Sequence, residues 1–124
     1  IDGELPFHDE ERGKSKRVLL SVKAGNTSVA HVRDLRGVIE REGAEIGVLI
    51  TMHEPTPQMR VEAATAGFYD SPWDGRHARL QILTIAQLLE GAQIDMPPLR
   101  QVGRAFKRAP RARTPGGTQS ALDL

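Results

Sequence analysis

The stretch RVLLSVK, residues 17–23, decides the fold. Its apolar side chains follow one another almost without interruption, which is typical of a strand buried on both faces, as in a parallel sheet. The run IGVLI, residues 46–50, repeats this pattern. It is too short for a buried helix, and its branched side chains favour a second central strand. We therefore expect two neighbouring strands in the protein core.

Helical patterns separate and follow these strands, and a further strand is expected at residues 80–83. After residue 28, apolar side chains recur at helical spacing, and two further helices are expected at about residues 57–66 and 85–90. The boundaries rest on cap, proline and glycine signals. These signals run from Thr27 or Ser28 to Gly43, from Thr56 and Pro57 to Gly67, and from Ile85 to Gly91.

Residues 1–7 read as a short edge strand, because Pro6 cannot donate a ladder hydrogen bond. A charged hairpin loop over residues 8–16 joins this strand to the first buried one. Residues 68–69 are expected to be extended, and residues 70–77 are expected to form a loop. Strands that alternate with helices after an initial hairpin predict an α/β fold with a mixed sheet flanked by helices.

Charge divides the chain of 124 residues into two parts. Residues 1–96 carry eleven basic and fifteen acidic side chains, whereas residues 97–124 carry six basic and one acidic. We predict one domain over 1–96, followed by a basic tail rich in proline and glycine over 97–124. The tail has few apolar side chains to offset the entropy of ordering, and residues 102–106 are its one candidate for a short docked helix.

The composition indicates which cellular compartment the protein suits and which kinds of site it lacks. The chain has no cysteine, which excludes disulfides and thiolate metal sites and fits the cytoplasm. No apolar run is long enough to span a membrane, so we expect no membrane contact. The chain begins at Ile1 inside a predicted strand. We therefore expect an N-terminally truncated domain that lacks upstream elements.

Asp2 and Lys23 are the residues from which chemistry is predicted. If the first two strands pair, a carboxylate and an ammonium meet at one end of the hairpin. Hydrolysis of a phosphodiester uses this combination, because a carboxylate can hold Mg²⁺ and a lysine can stabilise developing charge. The alternative is a surface salt bridge worth at most about 1 kcal/mol.

Six segments carry a resemblance to a known family. They are IDG (1–3), VLLSVK (18–23), HVRDLRGV (31–38), IGVLIT (46–51), QILTI (81–85) and LLEG (88–91). In order and spacing they resemble the Mrr-like restriction endonuclease domain of the PD-(D/E)xK superfamily, in the form found at the C-terminus of some DNA adenine methyltransferases. The resemblance covers about residues 1–97. It implies a restriction-endonuclease-like sheet and descent from a metal-dependent DNA-cleaving enzyme.

The resemblance also assigns roles to individual residues. Asp2 matches the family's metal-binding aspartate, and Lys23 matches its catalytic lysine. Position 21 departs from the pattern, since the family usually has Gln or Glu there and this chain has Ser21. Glu4 shares a strand face with Asp2 and is a candidate second ligand for Mg²⁺, or else a solvated glutamate.

Contact with DNA is predicted for basic and polar residues in two regions. In the domain the candidates are Lys23, Asn26, Arg33 and Arg36, and in the tail they are Arg104, Lys107 and Arg108. Acidic residues alternate with the helical arginines, so an ordinary solvated face is the alternative there. A linker is the alternative for the tail. Trp73 and Tyr69 are candidates for stacking on bases or for the edge of the core.

Three functions remain open at this point. The first is Mg²⁺-dependent hydrolysis of DNA within a restriction-modification system, with a homodimer as a natural arrangement for cutting both strands. The second is an inactive, nuclease-derived module that binds DNA or docks on a methyltransferase domain of the same chain. The third is an α/β interaction domain without a nucleic-acid role, which the net charge of +1 allows.

Overall fold

A computed structural model describes residues 1–8, 15–72 and 74–98. Within these residues the chain forms six strands and three helices. The strands are β1 (Gly3–Phe7), β2 (Lys16–Lys23), β3 (Ile46–Thr51), β4 (Phe68–Ser71), β5 (Gly75–Ala78) and β6 (Leu80–Thr84). The helices are α1 (Val29–Glu42), α2 (Pro57–Ala64) and α3 (Ile85–Leu89).

The main sheet has four strands in the order β1-β2-β3-β6. β1 pairs with β2 in antiparallel fashion, whereas β2 with β3 and β3 with β6 are parallel. Two helical crossovers therefore connect three parallel strands, and the hairpin adds an antiparallel edge. The predicted α/β class, with a mixed sheet flanked by helices, is confirmed.

Each face of the sheet has its own apolar cluster. On the first face α1 and α2 cover the sheet, and Leu35 and Ile39 of α1 pack with Leu49 of β3. On the second face Phe7 and Val48 are fully buried, within a cluster that no described helix covers as α1 covers the first. Strand residues on the first face therefore lie under α1 or α2, whereas those on the second face do not.

The predicted helix boundaries rest on caps that the structure confirms. Ser28 is the N-cap of α1, and its side chain accepts a hydrogen bond from the Ala30 N–H at 3.3 Å. Thr56 caps α2 through the Met59 N–H at 3.1 Å. Gly43 follows α1 with φ of 68°, a left-handed conformation that glycine adopts without strain.

The loop predicted over residues 70–77 is wrong. Residues 68–71 and 75–78 pair as an antiparallel hairpin, in which Tyr69 lies opposite His77. His77 is buried, and its Nδ1 lies 2.7 Å from Asp95 Oδ1. Contacts with residues distant in sequence thus stabilise a strand that its local pattern, rich in charge and glycine, did not indicate.

Candidate functional site

Asp2 lies where the first strand meets the end of the second. Its backbone N–H donates to the Leu20 carbonyl oxygen at 2.8 Å. Its Oδ2 accepts a hydrogen bond from the Val22 N–H at 2.7 Å. The antiparallel register continues to place Asp2 beside Ser21. The predicted pairing of these strands is confirmed, and it brings Asp2 to the end of β2 that carries Lys23.

Ser21 and Lys23 share a face of β2, because side chains two residues apart on a strand point to the same side. This is the face that α1 covers, since Leu19 belongs to the cluster beneath that helix. Ser21 and Lys23 line a pocket of about 150 Å³ together with residues of α1 and the N-terminus. The other lining residues are Ile1, His31, Asp34, Leu35 and Val38.

The polar groups of this pocket are largely unpartnered. Ser21 is only 9% exposed, and among the described residues its hydroxyl has no hydrogen-bond partner. In the same part of the chain, neither Lys23 nor Asp34 forms an ion pair. His31 is engaged through Nδ1, which accepts the Ser28 N–H at 3.1 Å as part of the helix cap. The pocket thus combines one cation, one anion and a hydroxyl that no other described residue engages.

Glu4 is held by an arginine outside this pocket. Its Oε1 lies 3.6 Å from a guanidinium nitrogen of Arg17, and the same arginine reaches Glu42 of α1 at 3.6 Å. Arg17 also donates a short hydrogen bond to the Glu42 carbonyl oxygen. Arg17 would therefore compete with a metal ion for the carboxylate of Glu4, the predicted second ligand beside Asp2.

Comparison with protein families gives a match over most of the chain. The family model described as NACHT-associated inactive Restriction Endonuclease 1 matches residues 1–90. The chain belongs to this family. A restriction-endonuclease-like domain is thereby confirmed, while the Mrr-like kinship and the position behind a methyltransferase stay predictions. Searches among curated proteins and among solved structures found no match for the chain.

The donor set of this restriction-endonuclease-like domain does not fit a Mg²⁺ site. Mg²⁺ takes near-octahedral oxygen coordination that includes one or two carboxylates. Here Asp2 already accepts a backbone hydrogen bond, Ser21 supplies a neutral hydroxyl, and Glu4 is ion-paired. Over residues 1–8, 15–72 and 74–98, no group of three His, Asp or Glu side chains is arranged to hold a metal ion. Bound Mg²⁺ stays a prediction that the geometry does not favour.

The predicted DNA-contacting arginines of α1 are paired with acidic residues. Arg33 Nε lies 3.3 Å from Glu62 Oε1 of α2. Arg36 Nε lies 3.5 Å from Glu40 Oε2, and Arg36 Nη1 donates a hydrogen bond to Thr65 Oγ1 at 2.8 Å. Their charges are thus locally balanced, as expected of a solvated face that also joins two helices.

Other predicted residues lie apart from the pocket or outside the described part of the chain. Asn26 is exposed in the loop between β2 and α1. Tyr69 packs edge-on against Phe7, with ring centroids 6.0 Å apart, so it lies at the core edge. Trp73, Arg104, Lys107 and Arg108 lie outside the described residues.

Sequence reasoning missed His31 and Asp34 as pocket residues. With Leu35 and Val38 they occur at positions i, i+3, i+4 and i+7, which is one face of a helix. Two polar residues at the first turns of an apolar stripe, beside a strand that ends in lysine, were a usable signal. Only the crossover from β2 to α1 brings that face over Ser21.

None of the described helices has the length and apolar character required to cross a membrane.

Proposed function

We propose that this domain is a non-cleaving, nuclease-derived module that binds nucleic-acid phosphates without a metal ion. The observation that carries the proposal is that Lys23, which has no ion pair among the described residues, lines one pocket with the hydroxyl of Ser21. An acidic side chain at position 21 would repel a phosphate unless a metal ion lay between them. A hydroxyl instead donates a hydrogen bond to phosphate, and the lysine ammonium supplies the charge.

Asp34 sets a limit on this binding. Its carboxylate lines the same pocket and opposes the lysine charge. We therefore expect weak binding that is sensitive to salt, because few phosphates are neutralised. Asp34→Asn should tighten it, whereas the same change would have little effect if the ligand were a neutral surface.

The description of the family suggests a setting. Its members are called NACHT-associated, and we propose that this domain likewise works beside a NACHT domain, in the same polypeptide or in a neighbouring one. Attachment to a DNA methyltransferase remains an alternative that follows from the Mrr-like resemblance alone. The word inactive in the family description supports binding over hydrolysis.

Docking on a protein is the second candidate function. It is favoured by the paired arginines of α1, and also by Arg60, which lies 2.9 Å from Glu54. A surface built to hold DNA presents basic side chains that are free to replace counterions. The six basic residues of 97–124 favour nucleic acid instead, so the tail and the domain point to different partners.

The two candidates can be separated by DNA binding in the presence of a chelator. Fluorescence anisotropy of a labelled duplex is measured between about 50 and 200 mM salt, for the natural chain and for Lys23→Gln. Losing one charge-assisted hydrogen bond to phosphate should weaken affinity about tenfold, or ~1.4 kcal/mol. Arg41→Gln is the matched control, since Arg41 is exposed and is also unpaired among the described residues.

Two outcomes would overturn the proposal. Equal DNA affinity of the natural chain and Lys23→Gln would mean that the pocket does not contact DNA. No DNA affinity even at low salt would favour docking on a protein. Cutting of plasmid DNA that requires Mg²⁺ and disappears in Asp2→Ala would instead establish the enzyme.

A further inference from the structure

Asp34 is the residue of the Lys23 pocket that phosphate binding leaves unexplained. It is exposed on α1, lines the pocket and forms no ion pair within residues 1–8, 15–72 and 74–98. A carboxylate only accepts hydrogen bonds, and it repels a phosphate at close range. A ligand that suits this pocket should therefore present a hydrogen-bond donor to Asp34 as well as a phosphate to Lys23.

His31 supplies the complementary donor, three residues before Asp34 on α1. Its Nδ1 accepts the Ser28 N–H at 3.1 Å, so the neutral ring carries its proton on Nε2. The described residues provide no acceptor for this Nε2–H. Residues three apart on a helix are neighbours, with about 5–6 Å between their Cβ atoms. His31 and Asp34 thus offer a donor and an acceptor side by side in one pocket.

A hydroxyl group matches this pair, because it donates one hydrogen bond and accepts others. A phosphodiester oxygen only accepts. In a nucleic acid, the hydroxyl that lies next to a phosphate is the ribose 2′-hydroxyl, which RNA has and DNA lacks. Carboxylates bind ribose hydroxyls in this way in dinucleotide-binding domains. The pair formed by His31 and Asp34 therefore suits ribose better than deoxyribose.

Burial orders the polar groups from the floor of the pocket to its mouth. Ser21 is the most buried of them, at 9% exposed. Lys23 and His31 are half-buried, and Asp34 is exposed. A phosphate bound by Ser21 and Lys23 would lie inside the pocket, with the neighbouring sugar hydroxyl at its mouth.

The size of the pocket limits how much of a ligand can enter. Its volume of about 150 Å³ is roughly half of the ~300 Å³ at which pockets begin to enclose a whole small molecule. Among the described residues that line it, there is no Phe, Tyr or Trp on which a base could stack. The bases would remain outside, so binding should not depend on their sequence.

We propose that this pocket recognises RNA in preference to DNA through the ribose 2′-hydroxyl, an inference that rests on the proposed binding of nucleic-acid phosphates. Lys23 and Ser21 hold the phosphate. The Nε2–H of His31 donates to the hydroxyl oxygen, and Asp34 accepts a hydrogen bond from the hydroxyl. DNA places no donor opposite Asp34, so the carboxylate only repels it.

Fluorescence anisotropy with labelled single strands of one sequence tests this on the full chain, in the presence of a chelator. The strands are RNA, DNA and 2′-O-methyl RNA, whose methylated oxygen cannot donate. We expect RNA to bind about tenfold more tightly than the other two, which lack a hydrogen bond to a charged group. The six basic residues of 97–124 attract all three strands through their phosphates, so their contribution cancels in this comparison.

Asp34→Ala should change the two affinities in opposite directions. RNA affinity should fall because the hydroxyl loses its acceptor, and DNA affinity should rise because a repelling charge is gone. Glu90→Ala is the matched control, since Glu90 is exposed, does not line the pocket and has no ion pair among the described residues. It removes the same charge and should leave the ratio of the two affinities unchanged.

Four results would overturn this inference. Equal affinity for RNA and DNA, with both weakened by Lys23→Gln, would leave phosphate binding in place without ribose recognition. Affinities that Lys23→Gln does not change would overturn the proposed function as well. A rise of both affinities in Asp34→Ala would mean that the carboxylate contacts no hydroxyl. Displacement of RNA by a micromolar ribonucleoside 3′-monophosphate would make a free ribonucleotide, rather than RNA, the ligand.

Discussion

The carboxylate of Asp2 accepts a hydrogen bond from the backbone N–H of Val22 at 2.7 Å, so the residue that family resemblance assigns to metal binding ties β1 to β2. This N–H lies near the edge of the sheet, where β1 ends and further ladder partners are missing. A carboxylate there replaces the carbonyl that a longer strand would supply. An aspartate at this position therefore stabilises the pairing of β1 and β2 whether or not the domain is catalytic.

The first prediction follows from this contact. Asp2→Ala should lower the free energy of unfolding by about 1 kcal/mol, because the Val22 N–H loses a charged acceptor in a partly exposed place. Asp2→Asn keeps an acceptor oxygen and should lose less. Urea denaturation followed by circular dichroism measures both. Glu4→Ala is the control, and an equal loss there would mean that Asp2 has no special structural role.

The second prediction concerns the missing acidic residue. Ser21→Glu places a carboxylate beside Asp2 in a site where the natural side chain is 9% exposed. The variant should be less stable by about 1–3 kcal/mol without metal, and Mg²⁺ or Mn²⁺ should restore part of the loss by binding both carboxylates. Thermal unfolding with metal and with chelator measures this. A rise of the same size in Ser21→Ala would show that the metal acts elsewhere.

The third prediction tests the packing of α1 on the sheet. A Cβ at Gly47 of β3 would come within 2.4 Å of Ile39 Cδ1 and 3.3 Å of Leu35 Cγ. Gly47→Ala should therefore cost about 1–3 kcal/mol of unfolding free energy through overpacking. Gly25→Ala, with no heavy atom within 4 Å of the new Cβ, is the matched control. Similar denaturation midpoints for the two variants would contradict this close packing.

The fourth prediction concerns the attachment of residues 92–98. The backbone N–H of Asp95 donates to Gln81 Oε1 at 3.0 Å, and Gln81 Nε2 donates to the Asp95 carbonyl oxygen at 2.8 Å. The carboxylate of Asp95 also contacts the buried ring of His77. His77→Ala should increase hydrogen exchange at Asp95 and across β5 about tenfold, the equivalent of ~1.4 kcal/mol. Arg76→Ala, on the exposed side of the same strand, should not. Unchanged exchange in His77→Ala would mean that Gln81 alone holds the segment.

Most of the main fold could be predicted from local pattern. The apolar runs at 17–23 and 46–50 became parallel strands, and Ser28, Gly43, Thr56 and Pro57 bounded the helices as expected. The hairpin of β4 and β5 could not, since it depends on Tyr69 packing against Phe7 and on His77 meeting Asp95. Those contacts join residues far apart in sequence, and no local periodicity encodes them.

By itself, the sequence determined which segments become the strands and helices of the main sheet, and that position 21 lacks the family's usual Gln or Glu. The repeat of apolar side chains and the chemistry of helix caps involve only a few neighbouring residues, so both can be recognised in the amino-acid sequence. Only the tertiary structure decided that His31 and Asp34 line one pocket with Ser21 and Lys23. It also decided that Glu4 forms an ion pair with Arg17. Contacts of this kind depend on strand register and on where a crossover places a helix. Both are set by packing across the whole domain.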